Sequence, residues 1–368
     1  MRIRKGTGLA AATALALFLM TGARPDVSMT STLTLVSPEI SSIGAIAFGP
    51  ENILFVGDSE GAGVFALDVA DDGRGSGDAV SMLGVDTNIA ALLGTTADEI
   101  VINDLAVHPG SQNVYLGVTR GRGEGSVPVL LMVSASGDIT EVGLDGMHYS
   151  RAEILNAPGP DQTYGRRGSA RTFTVTDLAF ADGEVLVAGL SNEEFASNFR
   201  RIAFPFGDEF GATSLEIYHV SHRQNETHAP IMTFLPTEVD GAPTILAAYT
   251  CTPLVAFDMS GLANGGHVFG KTIAELGAGN RPLDIIGYEV AGEQQILISN
   301  SRHPLMKVDP GLIPGAARLL EPGETGVGFT AVQESGIRQM DNLNADYIVL
   351  LQDRGEGLEL RSLRKDAL

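Results

Sequence analysis

Apolar and polar positions alternate along this chain in short runs, and one arrangement of these runs recurs six times. Each copy contains an alternating apolar segment, a turn, a second apolar segment, a polar loop and a third strand. The copies begin near Ile43, Ile102, Val175, Ile231, Pro282 and Gly336. Short strands that repeat every ~50–60 residues are the sequence signature of a β-propeller. The pattern predicts an all-β chain, a single β-propeller of six four-stranded blades, with seven blades as the alternative.

A propeller ring must close without leaving an exposed strand edge. The last copy supplies only three strands, while residues 31–36 (STLTLV) form a lone β-rich segment without a partner in their own copy. We therefore expect this N-terminal strand to complete the last blade. Two stretches, 144–174 and 193–213, interrupt the period and are expected to be insertions that cover one face of the ring.

The first residues have the pattern of a secretory signal peptide. A basic start is followed by a twelve-residue apolar run and by the small residues Thr21, Gly22 and Ala23, and this run is too short for an ordinary membrane-spanning helix. We expect a signal peptide over 1–23, a propeller domain over 24–368, and a periplasmic or secreted protein. With a single cysteine, Cys251, the chain has no internal disulfide and depends on packing.

The charge balance excludes some partners. Lys and Arg number 24 against 45 Asp and Glu, a formal net charge of −21. Such a surface repels nucleic acid and anionic lipid headgroups, and no later stretch predicts membrane insertion. The expected partner is a small polar or anionic molecule, or an exported protein.

Acidic residues recur at the start of the first strand of several copies, at Asp104, Asp177 and Asp284, with Asp341 in the last copy. In a propeller these positions line the central channel near its mouth. With asparagines from the loops after the second strands, they offer the oxygen ligands that Ca²⁺ prefers. The predicted metal ligands are Asp104, Asp177, Asp284, Asn192 and Asn300. The alternative is that each Asp accepts hydrogen bonds from strand amides and holds neighbouring blades together.

Candidate catalytic residues lie in the loops between second and third strands. His303 is a candidate acid or base, Arg302 would orient a substrate, and Cys251 is a candidate nucleophile or a small buried apolar residue. His219 and His222 share one metal only if a turn begins at Val220, because a strand places them on opposite faces.

Arginines are concentrated in the same loops, and they predict recognition of a carboxylate or phosphate. The alternative is pairing with nearby acidic residues. The predicted substrate-binding residues are Arg120, Arg122, Arg200, Arg201 and Arg354.

The third strands of several copies end in related sequences, VFALD, LVAFD and LMKVD. In this the chain resembles the secreted six-bladed propellers of the NHL and gluconolactonase (lactonase-like) type. The resemblance implies a divalent cation at the channel mouth, with Asp104, Asp177, Asn192 and Asn300 at corresponding positions. We therefore predict a metal-assisted hydrolase or lyase that uses calcium. The alternative is a non-catalytic scaffold that binds a ligand or protein.

Overall fold

The structure is a computed structural model that describes residues 28–368 apart from 124, 167, 208, 209, 251, 278 and 325. The predicted signal peptide and Cys251 lie outside the described residues. Six sheets, antiparallel apart from one short strand of blade 3, are arranged as a ring around a central channel, so the chain is a six-bladed β-propeller. We number the blades by the position of their innermost strands along the chain.

The strands of each blade are given from the channel outward. Blade 1 contains Ile46–Phe48, Ile53–Asp58, Gly63–Asp68, His148–Glu153 and Thr34–Leu35. Blade 2 contains Ile100–Val107, Val114–Arg120, Val127–Val133 and Ile139–Glu141. Blade 3 contains Asp177–Ala181, Glu184–Leu190, Ser197–Ala203, Thr213–His219 and Gln224–Glu226, with His267–Phe269 pairing in parallel with Thr213–His219.

The remaining blades follow the same plan. Blade 4 contains Ile231–Val239, Ala242–Tyr249, Pro253–Asp258 and Lys271–Glu275. Blade 5 contains Pro282–Val290, Glu293–Asn300, Met306–Val308 and Thr330–Ala331. Blade 6 contains Ile337–Asn342, Tyr347–Asp353, Leu358–Arg364 and Ser81–Leu83. The α-helix Val85–Leu93 connects the last of these strands towards blade 2. No helix of the described residues is long and apolar enough to cross a membrane.

The hydrophobic core consists of six clusters, each between two neighbouring blades. Inner strands such as Ile53–Asp58 are buried throughout because blades cover both of their faces. The clusters show that blade 2 lies between blades 1 and 6, whereas blade 1 lies between blades 2 and 3. The spatial order is therefore 2, 1, 3, 4, 5, 6, and the first two repeats are exchanged relative to the sequence.

This order follows from two strands that leave their own repeats. Ser81–Leu83 pairs with Leu358–Arg364 and completes blade 6, and His148–Glu153 pairs with Gly63–Asp68 and completes blade 1. The ring is thus closed by a strand from the N-terminal part of the chain, as expected, but the assignment of that strand to residues 31–36 is wrong. Within that segment Thr34–Leu35 pairs with His148–Glu153, where it extends blade 1 on the outside. Both of its residues are exposed, so they contribute little to the core.

Candidate functional site

The innermost strands all begin at the same face of the ring. We call this the loop face, because it also carries the turns between second and third strands and the connections between blades. The connection between His148–Glu153 and Asp177–Ala181, most of which belongs to the predicted insertion 144–174, crosses this face from blade 1 to blade 3. Thr172 and Phe173 of this connection line the channel mouth.

Three carboxylates divide the channel into two cavities. A cavity of about 180 Å³ opens towards the loop face and one of about 440 Å³ towards the opposite face, and Asp104, Asp177 and Asp284 line both. They lie on blades 2, 3 and 5, which alternate around the ring. Asp104 and Asp284 directly follow a shift in the pairing register of their strands. At the equivalent position, after the same shift, blades 4 and 6 carry Thr233 and Gln339. The channel therefore has acidic and neutral positions in alternation.

Each of these carboxylates accepts a hydrogen bond from a neighbouring blade. Oδ2 of Asp104, Asp177 and Asp284 accepts from the backbone N–H of Ile46, Phe234 and Met340, at 2.8, 2.7 and 2.7 Å respectively. Oδ1 of each accepts from the next residue of its own strand. Asp341 makes the same contact two residues further along, to the N–H of Val107 at 2.8 Å. These contacts are those of inter-blade hydrogen bonding, and the metal role of the aspartates stays a prediction.

The surroundings favour the protonated form of these groups. Burial, reinforced by repulsion from Asp177, raises the pKa of Asp104 well above its usual range. Burial and the charges of Asp104 and Asp177 do the same to the pKa of Asp284. Burial also raises the pKa of Asp177 to about 7 and that of Asp341 to about 6, although their hydrogen bonds oppose the change. The channel can therefore take up protons near neutral pH.

A different group on the loop face has the donor set of a metal site. His219 ends the strand Thr213–His219, a short 3-10 turn covers Val220–His222, and Arg223 then reverses the chain in the left-handed region at φ 54°. The reversal brings Glu226 back beside both imidazoles. The condition set by the sequence, a turn that begins at Val220, is met.

The two histidines share one carboxylate. His219 Nδ1 lies 3.0 Å from Glu226 Oε2, and His222 Nδ1 lies 2.6 Å from Oε1. His219 is fully buried, whereas the His222 side chain is 47% exposed. Burial alone would raise the pKa of Glu226, but the hydrogen bonds with the histidines outweigh it and lower this pKa to about 2.

The geometry of this group suits a small metal ion. Its three ligand atoms lie within 4.8 Å of one another, and it is the only such group of His, Cys, Asp or Glu in the part of the chain that the structure describes. Zinc holds such ligands at about 2.0–2.2 Å in a tetrahedron, which sets them about 3.3 Å apart. Binding of an ion would therefore lengthen the distances between the Glu226 oxygens and the imidazole nitrogens by less than about 1 Å.

The group opens into a cavity of about 530 Å³ on the loop face. His222 and Glu226 line it together with His228, Thr250 and Tyr164. Tyr164 comes from the long connection between blades 1 and 3, while Thr250 belongs to the turn after the second strand of blade 4. The sequence points to the histidines, but Glu226 is not among the residues that it predicts. The spacing His219, His222, Glu226 across a tight turn was the available signal.

The predicted residues of blade 5 lie together but apart from this group. Asn300 is buried and accepts a hydrogen bond from Asn280, which in turn accepts one from the backbone N–H of Arg302. The imidazole of His303 packs against Gly277, and a Cβ at position 277 would lie only 2.6 Å from His303 Nε2. Asn300 and Asn192 line neither channel cavity, so they are not placed with the three aspartates.

The arginines predicted to bind a substrate have different partners and different degrees of burial. Arg354 and Arg201 are ion-paired with Glu359 and Glu184 at 2.8 and 2.6 Å. Arg122 donates to the backbone carbonyl of Asp98, and Arg120 is exposed at the end of its strand. Arg200 and Arg201 lie on the strand Ser197–Ala203, within the segment expected to be an insertion. Arg200 is buried, unlike the others.

Comparisons with known proteins show likeness in fold alone. No protein-family model and no curated protein sequence matches the chain. A chain of the mitotic checkpoint complex is 11% identical, with 96% of this chain and 99% of that one covered and a TM-score of 0.38. PQQ-bound aldose sugar dehydrogenase from Streptomyces coelicolor is 12% identical, with 90% and 96% covered and a TM-score of 0.34.

YCF48 from Cyanidioschyzon merolae is 12% identical, with 89% of this chain and 98% of that one covered and a TM-score of 0.38. At these identities and scores the likenesses carry no argument about activity. The resemblance to propellers of the gluconolactonase type is likewise one of fold.

Proposed function

We propose that this protein is a metal-dependent hydrolase or lyase that acts on a small polar or anionic molecule on the loop face. The observation that carries the proposal is the group of His219, His222 and Glu226 at the wall of an open cavity. Perturbed titratable groups beside a concave pocket are the usual marks of a binding or active site. The site lies on the face where the loops and blade connections converge, although not in the channel itself.

The donor set argues for the kind of metal. Two imidazoles and one carboxylate suit Zn²⁺ and other first-row divalent ions, whereas Ca²⁺ is bound by oxygen atoms. We therefore place a zinc-like ion at this group. Calcium in the channel, held by Asp104, Asp177 and Asp284, is the competing metal proposal.

The residues have different tasks in this proposal. Buried His219 fixes the position of Glu226, and exposed His222 completes the ligand set at the cavity wall. A divalent ion bound there would activate a water molecule or polarise a substrate oxygen. His228, whose Nδ1 lies 3.0 Å from Thr227 Oγ1, is the side chain placed to exchange a proton with a bound substrate. Tyr164 also lines this cavity.

We further propose that the protein works after export, in the periplasm or outside the cell. This rests on the signal-peptide pattern of the first 23 residues. The acidic composition supports a partner that is neither nucleic acid nor an anionic membrane.

A zinc titration tests the proposal. Purified metal-free protein is titrated by calorimetry, alongside His222→Ala and, as a matched control, His267→Ala. His267 is also part of an exposed His–Glu pair, with Glu216 at 2.9 Å, but it lies outside the group. We expect one equivalent of zinc to bind to the wild type and to His267→Ala, and binding to be lost in His222→Ala.

A panel of lactones, carboxylic esters and phosphate esters is then assayed with and without zinc. Zinc-dependent turnover that His222→Ala abolishes supports the enzyme. Zinc binding of equal strength in all three proteins would refute the site, and metal binding lost only in Asp177→Asn would favour the channel.

A further inference from the structure

Arg200 is a buried cation between two blades. It lies in the middle of the strand Ser197–Ala203, opposite Val187, and its exposed fraction is 0%. Val187 and Ile202, which lie on the same face of the sheet as Arg200, belong to the hydrophobic cluster between blades 1 and 3. Burial lowers its pKa to about 10, so the guanidinium remains charged at neutral pH. An arginine in such a place is normally paired.

The hydrogen bonds of Arg200 leave much of its guanidinium without an acceptor. Nη2 donates to Asn156 Oδ1 at 3.0 Å and to the carbonyl of Leu190 at 3.2 Å. Nε and Nη1 are buried and have no hydrogen-bond partner among the described residues. Three N–H donors are therefore unsatisfied. Burying such donors is costly, and the cost is larger for a charged group.

The neighbouring arginine shows what a paired side chain looks like here. Arg201, the next residue, is bound by Glu184 at 2.6 Å and by the carbonyl of Met259. For Arg200 the nearest acidic contribution comes from Glu193, whose Oε1 accepts from Asn156 Nδ2 at 3.2 Å. Asn156 thus lies between the Glu193 carboxylate and the guanidinium of Arg200, and the carboxylate does not pair with the guanidinium directly.

Arg200 belongs to the wall of a cavity of about 390 Å³ at the outer edge of blade 3. Asn156 and Glu193 form the end nearest the loop face, while Phe210, Ser214 and glycines 211, 265 and 266 form the rest. The cavity opens where the fourth strand leaves the third, because the two pair only at Asn198–Ser214 and Phe199–Thr213. It shares no lining residue with the cavity of His222 and Glu226.

We propose that this cavity is a binding site for a small oxyanion, a free carboxylate or phosphate group, which pairs with the unsatisfied donors of Arg200. The site is separate from the metal group and does not depend on it. An anion supplies the acceptors that Nε and Nη1 lack and neutralises the buried charge, and charge-assisted hydrogen bonds of this kind are strong. Entry requires a shift of the side chains that now shield the guanidinium, and Glu193, which is exposed, stands at the rim.

Calorimetric titration with inorganic phosphate, sulfate and succinate, each against chloride of equal ionic strength, tests the site. The wild type is expected to bind one equivalent saturably. In Arg200→Met the affinity is expected to fall by about tenfold or more, while Arg201→Met binds as the wild type does. Preference for phosphate and sulfate over succinate, or the reverse, identifies the anion class. The absence of saturable binding of all three to the wild type would overturn the proposal, as would unchanged affinity in Arg200→Met.

A second measurement does not depend on a variant that folds. Wild-type crystals grown with selenate should give an anomalous peak within hydrogen-bond distance of Arg200 Nε or Nη1. The selenate concentration is chosen from a calorimetric titration so that the protein in the crystals is saturated. If the cavity then shows no peak, the anion binds elsewhere and the assignment is overturned.

Discussion

Asp284 Oδ2 accepts a hydrogen bond of 2.7 Å from the backbone N–H of Met340, and this contact joins the innermost strands of blades 5 and 6. Substitution Asp284→Ala leaves that N–H and the N–H of Ile285 without an acceptor. We expect a loss of about 2–3 kcal/mol in the free energy of unfolding. Urea denaturation of the wild type, of Asp284→Ala and of the exposed control Asp161→Ala checks this. The control is expected to unfold within about 0.5 kcal/mol of the wild type. A loss as small as that of the control would show that the contact does not hold the blades.

The raised pKa of Asp177 has a consequence for the pH dependence of stability. A carboxyl whose folded pKa of about 7 exceeds its unfolded value of 3.8 binds a proton more tightly in the folded state. The stability that protonated Asp177 contributes is therefore fully present below pH ~4 and is lost as the pH rises towards 7. Asp177→Asn, which keeps an oxygen acceptor for Phe234, should flatten this fall. Parallel curves for the two proteins between pH 4 and 8 would contradict the assignment.

Glu226 should act in the opposite direction. Its folded pKa of about 2 lies below the ordinary 4.5, so the stability it contributes is present above pH ~4.5 and is lost as the pH falls towards 2. The contribution has an upper limit of about 3 kcal/mol. Thermal unfolding of the wild type and of Glu226→Gln is compared from pH 2 to 6. We expect their difference to shrink as the pH falls, and a constant difference would argue against the ionised, hydrogen-bonded carboxylate.

The strand that closes the ring can be identified by a pair of substitutions. Met82 lies in Ser81–Leu83, is 9% exposed and packs in the cluster between blades 2 and 6, so Met82→Ala should destabilise by about 2 kcal/mol. Leu35, in Thr34–Leu35, is 59% exposed, and Leu35→Ala should change stability by less than about 0.5 kcal/mol. Denaturant midpoints that reverse this ranking would mean that the N-terminal segment is the closing strand.

Local periodicity was sufficient for the number and type of blades. Segments such as Ile53–Asp58 and Tyr347–Asp353 alternate or run apolar between turns wherever they are found, so each copy predicts its own sheet. The order of blades was not predictable in this way. It depends on Ser81–Leu83, which is only three residues long, and on the polar strand His148–Glu153, and both strands pair with strands of other repeats. Residues 31–36 are richer in β-forming residues, but only Leu33 of this segment is buried, in the cluster between blades 1 and 3.

The site was predictable only in part, for a related reason. The spacing of His219 and His222 indicated a shared site on condition of a turn, but the return of Glu226 depends on the left-handed conformation of Arg223. Arg200 and Arg201 are adjacent and identical in type, and nothing local shows that one is paired on the surface and the other buried between blades. Which of the two side chains is buried depends on the position of the neighbouring blade.

Zinc binding by His219, His222 and Glu226 is tested most directly by diffraction at the zinc absorption edge from crystals of the wild-type protein grown with one equivalent of zinc. We expect a single strong anomalous peak at about 2.0–2.2 Å from one nitrogen each of His219 and His222 and from an oxygen of Glu226. A peak between Asp104, Asp177 and Asp284 instead, or no ordered zinc at the histidines, would contradict it.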